Sequence, residues 1–209
     1  LYDGLKKIEI GIDNSSFIRK PEINEKKPII FYGTSITQGA CASRPGLAFP
    51  AILGRRLRRP TINLGFSGNG IMEPEVASLL AELDPCVFVI DCLPNMNEKN
   101  VSERTIPLVK KLRESHSKTP ILLVEDRSFT NTSFFPSTKI HHHKSRAALK
   151  KAFAELVYEG VVNLYYLDGD NLLGRDGEGA TDGSHPNDLG MLRYADAYEP
   201  VLRSILKQF

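Results

Sequence analysis

From residue 28 onward, short apolar runs alternate with longer stretches in which apolar and polar residues mix. Five runs are nearly continuous in apolar residues, which is typical of strands buried on both faces of a sheet. The predicted strands are Ile29–Tyr32, Thr61–Leu64, Cys86–Asp91, Ile121–Glu125 and Asn163–Leu167. The predicted helices are Phe49–Arg58, Pro74–Leu83, Val101–Ser115, Ser137–Glu159 and Asp188–Lys207. This alternation predicts an α/β fold, a flavodoxin-like three-layer α/β/α sandwich with a five-stranded parallel sheet.

The first 27 residues have a different pattern. Leu5–Ile12 partly alternates between apolar and polar residues, which predicts one exposed strand. Asp13–Ser16 has the composition of a turn, and Arg19–Lys27 is polar and contains a proline, as linkers do. We therefore predict an edge strand and linker in residues 1–27 and a main domain in residues 28–209.

Composition narrows the class of protein further. A chain of 209 residues with 41% hydrophobic residues is long and apolar enough for one domain with a large core. Its net charge is only +2, so neither nucleic acid nor an acidic membrane surface is an expected partner. No apolar run approaches the ~20 residues that a membrane-spanning helix needs.

The three cysteines do not form a disulfide framework, because their number is odd. Cys86 lies in an apolar run and is predicted to be a buried thiol, while a bridge between Cys41 and Cys92 stays open at this point. The chain starts at Leu1 rather than Met, so its N-terminus does not indicate a compartment.

Ligands of open parallel sheets bind beyond the carboxyl ends of the strands. After the first predicted strand comes Gly33–Gly39, a turn of small residues that contains Ser35. A serine hydroxyl becomes a good nucleophile only when a base takes its proton. Ser35 is therefore either a candidate nucleophile or simply the cap of a helix.

The loops after the second and third strands offer hydrogen-bond donors. Gly65–Gly70 contains three glycines, which allow a ligand to approach the backbone, and the Gly68 N–H is the candidate donor. After the third strand, Pro94 restricts the backbone and precedes Asn95, whose amide can donate to a developing oxyanion without carrying charge. The alternatives are a flexible turn and an Asx cap.

The loop before the last helix carries a carboxylate and an imidazole, in Asp182 and His185. Pro186 keeps His185 out of a helical conformation, so Asp182 can reach back to its ring. Such a carboxylate holds the imidazole tautomer that a serine nucleophile requires. The alternative is a surface histidine beside a helix cap.

Taken in chain order, these four loops resemble the four sequence blocks of the SGNH (GDSL-type) hydrolases over roughly residues 28–207. Ser35, Gly68 and Asn95 match the serine, glycine and asparagine of the first three blocks, and Asp182-x-x-His185 matches the last. The chain departs from the family in three places. Thr34 replaces the usual Asp of Gly-Asp-Ser, and Leu93 and Met96 replace the Gly and Asp that normally surround the asparagine.

The resemblance implies a serine esterase with Ser35, His185 and Asp182 as its triad and with Ser35, Gly68 and Asn95 as its oxyanion hole. It implies neither a metal nor a cofactor. It favours a short-chain ester, such as acetyl on a small molecule or glycan, as the substrate. Arg44, in the loop after the serine, and Phe66 are candidate substrate contacts.

Branches of the family that carry a threonine before the serine often place this domain after an N-terminal β-sandwich. Residues 1–27 are then expected to be the last strand and tether of that sandwich. In a bacterium, the expected location is periplasmic or extracellular, with a signal peptide upstream of Leu1.

Two other functions remain open at the sequence level. A non-catalytic module on the same fold could bind glycans, and glycine-rich loops also suit phosphates or nucleotides, although the chain lacks a Gly-Lys-Ser/Thr loop. A metal site at His141–His143 is not expected, because consecutive helical residues point in different directions. The oligomeric state is not indicated.

Overall fold

The computed structural model describes residues 6–20, 25–132 and 134–208. Its strands are β1 Ile29–Gly33, β2 Thr61–Gly65, β3 Val87–Asp91, β4 Ile121–Val124 and β5 Leu164–Leu167. Its α-helices are α1 Ser35–Gln38, α2 Phe49–Leu57, α3 Pro74–Leu80, α4 Glu98–Ser115, α5 Pro136–Tyr158 and α6 Asp188–Leu206. Single turns of 3₁₀-helix cover Pro45–Leu47 and Leu93–Asn95.

All five strands are parallel and lie in the order β2-β1-β3-β4-β5. The predicted fold class, an α/β sandwich around a five-stranded parallel sheet, is therefore confirmed. Gly33 pairs with Gly65 on one side and with Asp91 on the other, so β1, β2 and β3 end at the same level. The loops that follow these three strands consequently share one edge of the sheet.

Helices cover both faces of the sheet. On one face, α2 and α6 pack against Ile29 and Phe31, and their own aromatic residues meet at Phe49 and Tyr198, whose ring centroids are 5.0 Å apart. On the other face, α3, α4 and α5 pack against the alternate residues of β1, Ile30 and Tyr32. Each large apolar side chain buried in this way contributes about 1.5–3 kcal/mol.

The predicted strands and helices are confirmed to within a few residues, and one helix boundary shows what the pattern missed. We predicted a start at Val101 for the fourth long helix, whereas α4 begins at Glu98. Asn97 caps this helix, since its side chain accepts a hydrogen bond from the Asn100 N–H at 2.9 Å. The apolar pattern starts later than the helix because the first turn is polar and exposed.

The edge strand and linker predicted for residues 1–27 stay a prediction, because the pairing partners of the strand were expected in a preceding domain. Residues 6–12 form no strand, and the side chains of Ile8, Ile10 and Ile12 are exposed. A strand needs a neighbour for its N–H and C=O groups, and no described residue pairs with this segment. Leu5 of that predicted strand and residues 21–24 of the predicted linker lie outside the described residues.

Two further findings concern the state of the cysteines and the length of the apolar helices. All three cysteines are free thiols, with Cys41 exposed and Cys92 buried, so the bridge left open above is not formed. Cys86 is half-buried rather than fully buried. Within the described ranges, none of the helices combines the length and the apolar character needed to cross a membrane.

Candidate active site

The turn after β1 places Ser35 at the start of the short helix α1. Thr34 caps this helix, because its side-chain oxygen accepts a hydrogen bond from the Ile36 N–H at 3.2 Å. Thr34 thus does the capping for which an Asp is also well suited, and it is completely buried. Gly39 ends the helix in a left-handed conformation, with φ of 104°. Ser35 is held between these two caps and is 8% exposed.

A chain of two hydrogen bonds joins Ser35 to the loop before α6. The Ser35 Oγ lies 2.9 Å from Nε2 of His185, and Nδ1 of the same ring lies 2.6 Å from Oδ2 of Asp182. With its proton on Nδ1, facing the carboxylate, the imidazole turns the lone pair of Nε2 toward the serine hydroxyl. The structure therefore brings Ser35 together with Asp182 and with His185, which lies 150 positions further along the chain.

Asp182 is held in place by its own loop. Its Oδ1 accepts hydrogen bonds from the backbone N–H groups of Ser184, at 2.9 Å, and His185, at 2.7 Å. Partial burial would raise the pKa of Asp182, but these two bonds and the His185 ring outweigh that effect and lower the pKa to about 2. The carboxylate is therefore ionised at neutral pH and can stabilise a positive charge on the imidazole.

The loop after β2 brings backbone N–H groups close to the turn that carries Ser35. The Phe66 N–H donates to the Gly33 carbonyl at 3.0 Å, which ties this loop to the end of β1. Gly70 has φ of +68°, and a Cβ there would lie 2.1 Å from the Gly33 carbonyl oxygen. Gly68 also has φ of +68°, but the space around its Cα is open. The loop is therefore packed tightly at Gly70 and accessible to a ligand at Gly68.

Asn95 lies where the sequence predicted, at the end of the 3₁₀ turn after β3. Its side-chain amide donates to the backbone carbonyl of Asn69, which links the loops after β2 and β3. An amide has two N–H groups, so the second remains available for a ligand. Leu93 and Met96, which depart from the family pattern, are both fully buried in the core against α3 and α4.

Asp91, at the carboxyl end of β3, is a further ionisable group close to the nucleophile turn. It is 1% exposed, and its Oδ2 accepts a hydrogen bond from the Thr37 hydroxyl at 3.3 Å. Burial raises the pKa of Asp91 to about 7, which the Tyr198 hydroxyl, the charge of Arg127 and the Thr37 hydroxyl offset only in part. A carboxyl group of this kind is protonated over much of the weakly acidic range.

The two candidate substrate contacts, Arg44 and Phe66, have different surroundings. Arg44 is exposed beside Asp188, whose pKa is lowered mainly by hydrogen bonds from Ser43 and also by the charge of Arg44. Phe66 is 40% exposed. It lines an apolar groove of about 290 Å³ together with residues of β2, of α3 and of the turn after α3: Leu64, Val76, Leu79, Leu80, Glu82 and Leu83.

Sequence reasoning missed the charged residues that follow β4. Glu125, Asp126 and Arg127 are all buried, and Arg127 donates hydrogen bonds to both the backbone carbonyl and the side chain of Ser184. A signal was present, because three consecutive charged residues directly after a buried apolar strand are unusual. Since β4 lies beside β3, this segment reaches the same edge of the sheet.

The histidine run does not form a metal site in the described part of the molecule. His142 is buried on α5 and His143 is exposed, while the side chain of His141 lies outside the described atoms. Among the residues that the structure describes, no group of three or more His, Cys, Asp or Glu side chains is arranged to hold a metal ion.

Comparison with known proteins assigns the chain to a family. A sequence profile of the GDSL-like lipase/acylhydrolase family matches residues 26–203. The chain belongs to this family. Its membership indicates a hydrolase that acts on esters, and it confirms the resemblance to GDSL-type hydrolases seen in the sequence. The preceding β-sandwich domain stays a prediction.

Several solved structures share the fold of this GDSL-like hydrolase. A Bacteroides ovatus protein described as a GDSL-like lipase is 41% identical, with a TM-score of 0.89 over 94% of this chain and 58% of its own. A salicylyl-acyltransferase from a tetracycline biosynthetic pathway is 21% identical, with a TM-score of 0.75 over 88% of this chain and 56% of its own. A family two carbohydrate esterase from Clostridium thermocellum, solved with cellohexaose, is 15% identical, with a TM-score of 0.72 over 92% of this chain and 68% of its own.

The last two likenesses show the fold alone, because their sequence identities are low. This GDSL-like hydrolase spans 58% of the Bacteroides ovatus protein and 56% of the acyltransferase. Among curated proteins, none matches the chain significantly.

Proposed function

We propose that this GDSL-like hydrolase is a serine esterase that removes short acyl groups, acetyl above all, from carbohydrates. The observation that carries the proposal is the hydrogen-bonded chain from the Ser35 hydroxyl through the His185 ring to the Asp182 carboxylate. Its two distances, 2.9 and 2.6 Å, are those that proton transfer from a serine to an oriented base requires.

In the proposed reaction, the Ser35 Oγ attacks the ester carbonyl carbon while its proton passes to Nε2 of His185. When the tetrahedral intermediate collapses, the bond to the alcohol oxygen breaks, and His185 gives the proton to that oxygen. Water then attacks the acyl carbon while His185 takes its proton. The bond from that carbon to the Ser35 Oγ breaks, His185 returns the proton to Oγ, and the free acid leaves. Asp182 stays ionised throughout and stabilises the imidazolium.

The negative charge on the carbonyl oxygen needs donors that are already in place. We assign this role to the Ser35 N–H at the start of α1, to the Gly68 N–H in its open loop, and to the remaining amide N–H of Asn95. The bond from Asn95 to the Asn69 carbonyl supports this role, because it fixes the amide before substrate binds. Each donor of this kind typically contributes about 10²–10³ in rate.

A polar cavity supports a carbohydrate as the alcohol part of the substrate. It has a volume of about 270 Å³ and is lined by hydroxyl and charged groups, among them Thr130, Asp170 and Arg175. The Thr130 N–H donates to the Gly183 carbonyl at 2.9 Å, so the cavity adjoins the loop that carries His185. Such groups can exchange hydrogen bonds with sugar hydroxyls. The carbohydrate esterase with the same fold was solved with a glucose oligosaccharide, cellohexaose.

Hydrolysis of p-nitrophenyl acetate by the wild type and by Ser35→Ala tests the reaction. The variant is expected to lose about 10⁶-fold in kcat while its melting temperature stays near that of the wild type. Ser78→Ala is the matched control, because the Ser78 hydroxyl bonds only to the Pro74 carbonyl within α3. If no short acyl ester is turned over and no serine-directed organophosphonate labels the wild type, the esterase proposal fails.

Acetylated xylan, acetylated sialic acid and p-nitrophenyl esters of increasing acyl length test the substrate class. Free acetate is measured directly, since an acyltransferase shares the fold and transfer to another alcohol would also release p-nitrophenol. The highest kcat/KM is expected on an acetylated carbohydrate. Glycan binding without ester turnover, unchanged in Ser35→Ala, would instead indicate a binding module.

A further inference from the structure

Three ionisable residues in a row are buried directly after β4. Glu125, Asp126 and Arg127 are 4%, 2% and 2% exposed, respectively. Burying such groups costs free energy unless each is paired, and apolar residues would often fill the same space with equal stability. The contacts of these residues therefore indicate what they do beyond filling the core.

Arg127 uses its guanidinium to hold one residue of the loop at residues 182–185. Its Nε donates to the Ser184 backbone carbonyl at 3.1 Å, and one terminal nitrogen donates to the Ser184 hydroxyl. The other terminal nitrogen donates to Asp126, and the planar group lies over the Phe129 ring at 4.3 Å from its centroid. Ser184 is the residue between the Gly183 turn and His185. The orientation of the guanidinium is therefore transmitted to that loop.

Asp126, which bonds to the Arg127 guanidinium, directly follows the sheet and is held by residues of α5. Oδ2 of Asp126 lies 2.5 Å from Nδ1 of His142, and the Asp126 backbone carbonyl accepts hydrogen bonds from Arg146 at 2.9 and 2.6 Å. Burial would raise the pKa of Asp126, but the charges and hydrogen bonds of Arg127 and His142 lower it. Asp126 is thus an ionised and immobile anchor for Arg127.

The 182–185 loop depends on such an anchor because many of its other bonds are internal. Asp182 accepts from Ser184 and His185, and the Thr181 N–H donates to the His185 carbonyl at 2.9 Å. These bonds fix the shape of the loop but not its place on the sheet. Two residues of the segment after β4 bond to this loop. Arg127 donates to Ser184, and the Thr130 N–H donates to the Gly183 carbonyl.

We propose that Arg127 is a positioning residue that sets the loop carrying Asp182 and His185 at the correct distance from Ser35. The inference rests on the proposed esterase function. The hydrogen bonds of Arg127 run to Ser184 and Asp126 rather than to Ser35, Asp182 or the His185 ring, so it acts through Ser184. Its planar fork suits this role, because it bonds two atoms of one residue in a fixed orientation.

Arg127→Lys tests the proposal, because a lysine keeps the charge beside Asp126 and loses the fork that reaches Ser184. We expect kcat on p-nitrophenyl acetate to fall roughly 100-fold, the loss typical of a displacement of about 1 Å, with KM unchanged. Arg113→Lys is the matched control, since the Arg113 guanidinium also donates to backbone carbonyls of two loops, at Thr119 and Val162, but these loops precede β4 and β5 and lie at the opposite edge of the sheet. Its kcat is expected to stay at the wild-type level.

A double-mutant cycle separates positioning from a general effect on stability. In the Asp182→Ala background, Arg127→Lys is expected to cause little further loss, because the geometry it protects has already been removed. Ser184→Ala, which removes one acceptor only, is expected to lower kcat roughly 10-fold and serves if Arg127→Lys does not fold. Equal losses from Arg127→Lys in both backgrounds, or wild-type kcat in the folded single variants, would overturn the inference.

The His185 ring gives a readout that does not need turnover. A proton shared between Nδ1 and Asp182 is expected to give a low-field NMR signal in the wild type, which Arg127→Lys weakens or shifts and Arg113→Lys leaves in place. An unchanged signal in Arg127→Lys counts against the inference even if the wild type shows no esterase activity. An inactive wild type with the expected signal change would overturn the proposed function and leave the positioning role of Arg127 intact.

Discussion

The two sides of the active site are built in different ways. Ser35, Gly68 and Asn95 follow soon after β1, β2 and β3, and their loops are held together by backbone contacts and by the bond from the Asn95 side chain to Asn69. His185 and Asp182 lie instead at the end of the long segment between β5 and α6. Their side chains are 32% and 52% exposed, whereas Ser35 is 8% exposed.

This difference shows that the sheet alone fixes only half of the site. Where strands end in register, as at Gly33, Gly65 and Asp91, short loops inherit their positions from the ladder. The 182–185 loop has no strand directly before it, so side chains such as Arg127 have to locate it. We therefore expect the serine side to respond to changes in backbone packing and the histidine side to changes in single hydrogen bonds.

Asp182→Asn should give the largest effect among the variants that probe this comparison. An asparagine preserves the shape of the loop but favours the wrong tautomer of His185, so kcat is expected to fall about 10⁴-fold. Steady-state hydrolysis of p-nitrophenyl acetate measures this. Asp176→Asn, which removes an exposed ion pair with Arg193 in the same segment, is the control and should keep its kcat. A loss below tenfold for Asp182→Asn would mean that the loop does not supply the orienting carboxylate.

On the serine side, Asn95→Ala should lower kcat about 10²–10³-fold with little change in KM, because one oxyanion donor is removed. Asn97→Ala is the control two residues away. Asn97 caps α4, so its loss should cost about 1 kcal/mol of stability and leave kcat unchanged. If both variants lose activity equally, the role of Asn95 is limited to folding.

Gly70→Ala and Gly68→Ala test backbone packing on the serine side. Both positions have φ of +68°, so both variants should lose about 1–2 kcal/mol from an unfavourable conformation. Gly70→Ala should lose more than about 3 kcal/mol in total, since its Cβ would meet the Gly33 carbonyl at 2.1 Å, whereas Gly68 has open space. Urea denaturation of both variants measures the difference. Equal losses would show that the two loops are not packed against each other as described.

The raised pKa of Asp91, which lies on the serine side, predicts how the free energy of unfolding depends on pH. Because burial raises its pKa from 3.8 to about 7, the folded state binds a proton that the unfolded state releases between these values. The free energy of unfolding should therefore fall as pH rises from about 4 to about 7 and then level off. Asp91→Asn should lack this decline in urea denaturation at pH 5 and pH 8. A parallel decline in both proteins would assign it to another group.

Asp182 should have the opposite sign and the smallest effect. Its pKa is lowered to about 2, so it stabilises the fold above its unfolded value of 3.8, and this contribution is lost as pH falls through about 2. Because the side chain is half exposed, solvent screening should keep the contribution below about 1 kcal/mol. The difference between wild type and Asp182→Asn should vanish in urea denaturation near pH 2. A difference that persists there would have another origin.

Much of the fold was predictable because the buried strands are nearly continuous apolar runs. Runs such as Ile121–Val124 are apolar at every position and are therefore expected in strands that are buried on both faces. The rule for parallel sheets then selects the loops at their carboxyl ends. The proximity of Ser35, Asp182 and His185 was predictable because each lies in a short local pattern in a loop expected at that edge of the sheet. The strand expected at Leu5–Ile12 stays a prediction, because local alternation does not reveal whether a pairing partner exists.

What could not be predicted depends on contacts between distant parts of the chain. Arg127 and Ser184 are 57 positions apart, and no local pattern links them. The bond from Asn95 to Asn69 likewise depends on how two loops meet. The capping role of Thr34 was not predicted either, because a helix of only four residues has no apolar pattern that would mark its start.

Residues 168–187, between β5 and α6, also determine how the enzyme should respond to heat. Leu172 and Leu173 are buried, but much of the segment is held by polar contacts such as that between Arg193 and Asp176. Segments of this kind open at a lower free-energy cost than the sheet beneath them. The temperature at which turnover stops should therefore lie below the temperature at which the sheet unfolds, and cooling from the interval between them should restore activity.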